Sequence, residues 1–295
     1  MTNQYRFSDA TGYTLAQITE MHNESFSGYF MPATMTPEMT ANFWRVHQID
    51  ASRSVVMHDE NGTFVGMART GVRGKRGWCG GFGIVPTFRG SGASSLLAAE
   101  MVRAARDSGL TTLQLEVLTQ NIRAFKVYEN AGFVTTRKLL GLQVAVASLP
   151  AGSNIQTETT PTEALLPFMR SGERPDWERE LATLPTLQIE AVIASGVAGR
   201  LNGLIVRRSG ERCQIQAAIL QPDFTHAELV ALLRSAAAEA KTIQVYNEPE
   251  SSALLERYLE LGFTEFFSQY EMMLTLKVVI QTGAFPRCAG QPHRA

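Results

Sequence analysis

"FRGSGASSLLAAEMVRAA" (Phe88–Ala105) places an arginine and two glycines directly before an unbroken helix-forming run. A helix begins with backbone N–H groups that have no intrahelical acceptor, and it carries the positive end of its dipole there. Where glycine lets another group approach that backbone closely, the turn becomes an anion site, most often for phosphate. Arg89, Gly90, Ser91, Gly92, Ala93 and Ser94 form such a turn here. They fit a pyrophosphate cradle, and they fit a tight strand-to-helix connection in which glycine serves conformation alone.

Outward from this turn the chain reads as alternating elements. Upstream, "GYTLAQITEMHNESF" has apolar residues at helical spacing, and "TPEMTANFWRVHQI" starts a second helix with Thr36 as N-cap and Pro37 in the first position. "SRSVVMHD", "GTFVGMARTGV" and "GWCGGFGIVP" have the β-branched content and bounding turns of an antiparallel meander. Downstream, "TTLQLEVLT" predicts a strand, "NIRAFKVYENAG" a helix closed by Gly132, and "FVTTRKLLGLQVAVA" a long strand. The first half is therefore β-αα-βββ-α-β-α-β. After a stretch of small and polar residues, 148–164, the order partly recurs. Tyr128 precedes Gly132-Phe133 as Tyr258 precedes Gly262-Phe263, which predicts a duplicated supersecondary unit. The expected organisation is a first domain over 1–147, a linker over 148–164, a second domain over 165–280 and a mobile tail over 281–295.

Composition sets outer limits. The 295 residues, 44% of them hydrophobic, suffice for two ordinary cores. A net charge of −1 implies no bulk attraction to nucleic acid or to an anionic membrane. Apolar runs are too short for a membrane span, and "MTNQYRFSDA" lacks the basic and apolar regions of a signal peptide, so a cytoplasmic protein is expected. Cys79, Cys213 and Cys288 are odd in number and widely spaced, which suggests neither a disulfide framework nor a metal site.

At "GIVPTFRGSGAS" the sequence resembles the GNAT superfamily of acyl-CoA-dependent N-acetyltransferases. That family's signature is Arg or Gln, two residues, Gly, one residue, then Gly or Ala, after a strand ending in Val-x-Pro or similar. Ile84, Pro86, Arg89 and Gly92 stand in register, with Ser94 at the last position. "LEVLTQNIRAFKVYENAGF" is similar to the family's other conserved segment as it occurs in ribosomal-protein alanine N-acetyltransferases, through Glu116, Asn121, Tyr128 and Gly132-Phe133. The resemblance implies an α/β (α+β) fold of two tandem GNAT-like domains, each a mixed, mostly antiparallel sheet flanked by helices. It implies acetyl-CoA as cosubstrate, an amine of a small molecule or a protein N-terminus as acceptor, direct transfer without a metal, and a monomer or weak homodimer.

The resemblance also assigns roles. Phe82, Gly83 and Ile84 would offer a strand edge to the pantetheine arm, and the turn from Arg89 to Ser94 would hold the pyrophosphate. Tyr128 would act as general acid towards the CoA thiolate, and Glu116 as general base. Asn121 reads as a helix cap and as a partner of the pantetheine amides. "QLEVL" also allows Glu116 to sit on a merely solvated strand face, and "GGFG" allows a simple β-bulge. His22, Glu24 and His47 are reserve bases. Phe26, Tyr29, Phe30, Met31, Trp44 and Trp78 predict an aromatic acceptor wall, better suited to an apolar or amine-bearing acceptor than to a strongly anionic one. In the second half Thr225 and Glu228 replace the arginine and glycine of the turn, and Tyr246 and Ser251 stand opposite Glu116 and Asn121. A degenerate second domain without a cofactor site is expected, as is the rival outcome for the whole chain, a catalytically silent acyl-CoA-binding or regulatory protein.

Overall fold

The structure is a computed structural model, and it describes residues 5–31, 33–152, 154–166, 175–195 and 201–276. The expected tail over 281–295, with Cys288, lies outside the described residues. The first half contains β1 (Arg6–Asp9), α1 (Leu15–Ser25), α2 (Pro37–His47), β2 (Val55–His58), β3 (Phe64–Arg73), β4 (Arg76–Ile84), α3 (Ala93–Asp107), β5 (Thr112–Leu118), α4 (Ile122–Asn130) and β6 (Val134–Ala145). The second contains β7 (Gln156–Thr160), β8 (Glu190–Ser195), β9 (Asn202–Ser209), β10 (Arg212–Ile219), α5 (His226–Ala237), β11 (Thr242–Pro249), α6 (Ala253–Glu260) and β12 (Thr264–Thr275).

Local chemistry explains the helix boundaries. A capping box between Thr14 and Gln17 starts α1, and the Thr36 hydroxyl accepts from Met39 N ahead of Pro37 in α2. The Asn121 side chain accepts from Ala124 N at 3.2 Å to start α4. Gly132 follows α4 at φ +94°, a left-handed position that suits glycine.

All twelve strands join one sheet in the order β1-β2-β3-β4-β5-β12-β6-β11-β10-β9-β8-β7. Its centre is a reciprocal exchange. The last strand of the second half, β12, lies antiparallel between β5 and β6, while β6 lies antiparallel between β12 and β11. The two cores follow the same crossing. Leu140, Leu142 and Val144 of β6 pack with Leu229, Leu232 and Leu233 of α5, whereas Met272 of β12 packs with Leu97 and Met101 of α3. A buried ion pair fastens the crossing strands: Glu271 accepts from Arg137 Nε at 3.0 Å and from Nη2 at 2.9 Å. Each half therefore closes its hydrophobic interior with a strand of the other.

Two features depart from the expectation. The stretch 148–164 contains β7, an edge strand whose residues "QTETT" are exposed or half-buried, so its alternation carries little apolar signal. The segment 175–187, given no structure by periodicity, docks the second half onto the first. Trp177 is fully buried, donates from Nε1 to His47 O at 3.1 Å and stacks on Trp78 with centroids 5.7 Å apart. Glu180 accepts from Arg73 at 3.0 Å and from both terminal nitrogens of Arg76 at 2.7 Å. Trp177→Ala is expected to lower unfolding free energy by about 3–5 kcal/mol, as large-to-small core substitutions do. Arg76, about a third exposed, should cost under ~1 kcal/mol on substitution by Gln. Urea denaturation of both variants checks the contrast.

Candidate active site

β4 and β5 run parallel but pair only over Arg76–Trp78 and Thr112–Gln114. Beyond that point the strands part, and the backbone of Cys79 to Ile84 faces an opening. The register of β4 against β3 slips between Ala68–Phe82 and Thr70–Cys79, so one extra residue bulges at Gly80-Gly81. At Gly81 φ is +156° and a Cβ would meet the Arg69 guanidinium at 2.1 Å, so a side chain there would have to displace that guanidinium. The "GGFG" run is thus both a bulge and a place of close approach.

One cavity of about 510 Å³ follows this opening to the turn before α3, lined by Phe82, Gly83, Ile84, Arg89, Gly90 and Ser94 among others. Gly90 and Gly92 have φ of +81° and +91°, and a Cβ on either would meet nothing within 4 Å. Helix α3 has no side-chain cap. Among the described residues the N–H groups of Gly90, Gly92 and Ser94 have no acceptor in the protein. The positive φ values meet the conformational reading of these glycines, and the open space beside them leaves room for the close approach of another group. Ser91 turns its hydroxyl inwards to Phe88 O at 2.7 Å, and Ala93 is buried. Arg89 donates from Nε to Ile84 O at 2.9 Å and from Nη2 to Ser25 O and Ser27 O at 3.1 and 2.7 Å. Its guanidinium ties the end of α1 to the end of β4, which fixes the mouth of the opening.

A second cavity of about 380 Å³ adjoins the first, sharing Phe26, Tyr29, Phe82, Asn121 and Ala124 with it. Tyr128 and Glu116 both line it. Tyr128 projects from α4 with its ring edge-on to Phe82 and Phe133, at 5.4 and 6.0 Å between centroids. Burial pushes its phenol well above the ordinary tyrosine value of 10.0, and the hydroxyl has no hydrogen-bond partner among the described residues. Glu116 accepts from Trp78 Nε1 at 2.6 Å. Burial pushes its carboxyl up to about 8, opposed by the Trp78 hydrogen bond and reinforced by the charges of Asp176, Glu178 and Glu271. It does not sit on a solvated face.

The other candidates separate. His22 lines the cavity, but burial and Arg69 lower it to about 4, and Nε2 lies 2.6 Å from Ala33 O. His47 is likewise lowered to about 4, by burial first and then by Arg73 and Arg69. Glu24 is exposed and lines neither cavity. Cys79 is in the wall with its thiol pushed up to about 11 by burial, which leaves it without nucleophilic thiolate at neutral pH. Of the expected aromatic wall, Phe26, Tyr29, Met31 and Trp78 line this cavity and Phe30 the neighbouring one. Trp44 packs instead against the Ile18–Met67 cluster.

Sequence reasoning missed several lining residues. Tyr246, Asn247, Phe267 and Gln269 come from β11 and β12, and Glu178 from the docking segment. No local motif marks them, because only the strand exchange brings them to the first half. Arg69 was legible in principle, as a charge inside the apolar run "FVGMARTGV".

Among the described residues the second half has no equivalent turn. Thr225 and Glu228 form a capping box, with Glu228 Oε2 accepting from Thr225 N at 2.6 Å and Oε1 from Asn202 at 3.0 Å. A carboxylate thus occupies the start of α5 that corresponds to the open start of α3. Tyr258 is fully enclosed against Phe263 at 4.9 Å between centroids.

Residues 15–133 match the acetyltransferase (GNAT) family model. A tandem GNAT protein from the clavulanic acid biosynthesis pathway, in the form without AcCoA, superposes with a TM-score of 0.69 at 14% identity over 92% of this chain and 98% of that one. A GCN5-related N-acetyltransferase from Sphaerobacter thermophilus superposes with a TM-score of 0.69 at 12% identity over 92% and 95%. No curated protein matches significantly. Over residues 15–133 the chain is thus similar to the GNAT acetyltransferases, and as a whole it has the fold of a tandem GNAT protein. Among the described residues no helix is long and apolar enough to cross a membrane.

Proposed function

We propose that this chain is an acetyl-CoA-dependent N-acetyltransferase whose single active site lies in the first half. The observation that carries this reading is the junction of two cavities at Phe82 and Asn121, one ending on unpaired N–H groups and the other on Tyr128 and Glu116. The residues fit acetyl-CoA: the backbone of Phe82, Gly83 and Ile84 is an open strand edge for the amides of the arm, and Gly90, Gly92 and Ser94 offer donors for its phosphates. When bound, it supplies an acetyl group activated as a thioester.

The chain supplies the proton chemistry. Glu116 takes the proton that the amine loses as its nitrogen bonds to the acetyl carbon. Tyr128 gives its phenolic proton to the sulfur as the carbon–sulfur bond breaks. The products are an N-acetyl amide and a thiol, with no metal or acylated residue required. Asn121 holds the entrance of α4 beside both cavities and serves as a positioning residue.

Calorimetric titration with CoA is expected to give one site per chain, because Glu228 places negative charge where the second half would need donors. Two equivalent sites would contradict this. Release of CoA thiol is then followed across a panel of primary amines. Binding of CoA without release from any amine supports a silent acyl-CoA-binding protein instead.

A further inference from the structure

The cavity beside Tyr128 contains a cation that the proton chemistry above does not use. Arg69, on β3, is 3% exposed and lines that cavity. Its guanidinium lies under the Gly81 bulge, with the Phe43 ring centroid 4.8 Å and the Phe26 centroid 5.8 Å from Cζ. Nε and Nη1 have no hydrogen-bond partner, and no carboxylate pairs with the group among the described residues. An enclosed guanidinium with unpaired donors is costly, and such groups are kept paired or meet a ligand. The other buried arginines near this site are matched: Arg73 to Glu180 and Arg179 to Asp176.

We infer that Arg69 binds a carboxylate of the acceptor, so that the acceptor is an amine that also bears a carboxylate, of the amino-acid class. The planar fork of a guanidinium matches a carboxylate, and one negative charge balances one positive charge. A dianionic phosphate would bring more negative charge than the one guanidinium balances, into a cavity that also holds the carboxyls of Glu116 and Glu178. Those two carboxyls lie on the walls supplied by β5 and the docking segment, where their oxygens can accept from an amine. The cavity thus offers a cation to a carboxylate and carboxyl oxygens to an amine, with Phe26, Phe43 and Met35 left to face an apolar remainder. Such an acceptor stays within the expectation from the aromatic residues, which favoured an apolar or amine-bearing acceptor over a strongly anionic one. The inference rests on the cavity beside Tyr128 being the acceptor pocket.

The test uses the full chain with saturating CoA, titrated with each common L-amino acid and with its carboxamide. At least one amino acid is expected to bind 10-fold or more tightly than its carboxamide. In Arg69→Met that ratio falls to about 2 or less while CoA affinity is unchanged; Arg69→Lys keeps part of it. Met fills the site without a buried charge, so folding is retained, and Lys provides a second variant. Equal binding of every acid and its carboxamide, or binding of none, overturns the inference, as does discrimination that survives in Arg69→Met. Thiol release with the same amines separates the two readings. Release at equal rates from acids and carboxamides defeats the carboxylate site alone, whereas discriminating binding without release defeats the transferase alone.

Discussion

Tyr128→Phe is expected to lower kcat by about 10²–10³-fold, within the range that a positioned acid contributes, and to leave CoA affinity unchanged. The phenol is held well above 10.0 by burial, so it stays protonated at any working pH and donates rather than accepts. A free thiol has a pKa near about 8.5 and would draw a proton from a phenol only weakly in water. Burial acts on both kinds of group here, raising the thiol of Cys79 in the same wall to about 11 and the phenol with it, so donation relies on the phenol being positioned against the sulfur. Removing the hydroxyl breaks no hydrogen bond among the described residues, and the ring keeps its edge contacts with Phe82 and Phe133. Stability by urea unfolding should therefore hold while turnover falls. Tyr258→Phe is the control, since that ring is enclosed in the second core and should leave kcat unaltered. A Tyr128→Phe enzyme retaining a third or more of wild-type kcat excludes the acid role.

Glu116→Gln is expected to cost about 10²-fold or more in kcat/KM and to remove a pH dependence. A base must be ionised, and Glu116 ionises only around pH 8, so wild-type activity should rise towards that pH and fall below it. Glu178, pushed up to about 7 by burial and by Asp176, interacts with Glu116, so the observed limb belongs to the pair. In Glu116→Gln the limb near pH 8 should vanish, leaving at most one near 7. Stability responds in the opposite sense. The folded carboxyl titrates at about 8 against 4.5 for the free group, so the native state favours the protonated form. Its contribution is fully present below pH 4.5 and is lost as pH rises through 8. Relative to wild type, Glu116→Gln should gain thermal stability at pH 8 and none at pH 4. A pH–rate profile with no limb near 8 in wild type contradicts the assignment.

Most helices and strands were legible because their signals are local. Thr36-Pro37 starts α2, Asn121 caps α4 and Gly132 ends it, each through bonds within a few residues. β7 was not legible, because an exposed edge strand of Gln, Thr and Glu buries too little to show a period of two. The docking segment was not legible either. Trp177 and Glu180 make short turns whose partners, His47, Trp78, Arg73 and Arg76, lie about a hundred residues earlier.

The site divides along the same line. Sequence by itself determined the bare turn at Gly90 and Gly92 and the placing of Tyr128 on a helix and Glu116 on a strand, because backbone conformation and periodicity are written in neighbouring residues. Only the tertiary structure decided that β12 enters between β5 and β6, which brings Tyr246 and Gln269 to the cavity. Only it decided that Glu116 is shielded enough to titrate near 8 and that Arg69 stands without a counter-charge among the described residues. Burial and pairing depend on groups far apart in the chain, and no spacing along one strand encodes what the opposite wall supplies.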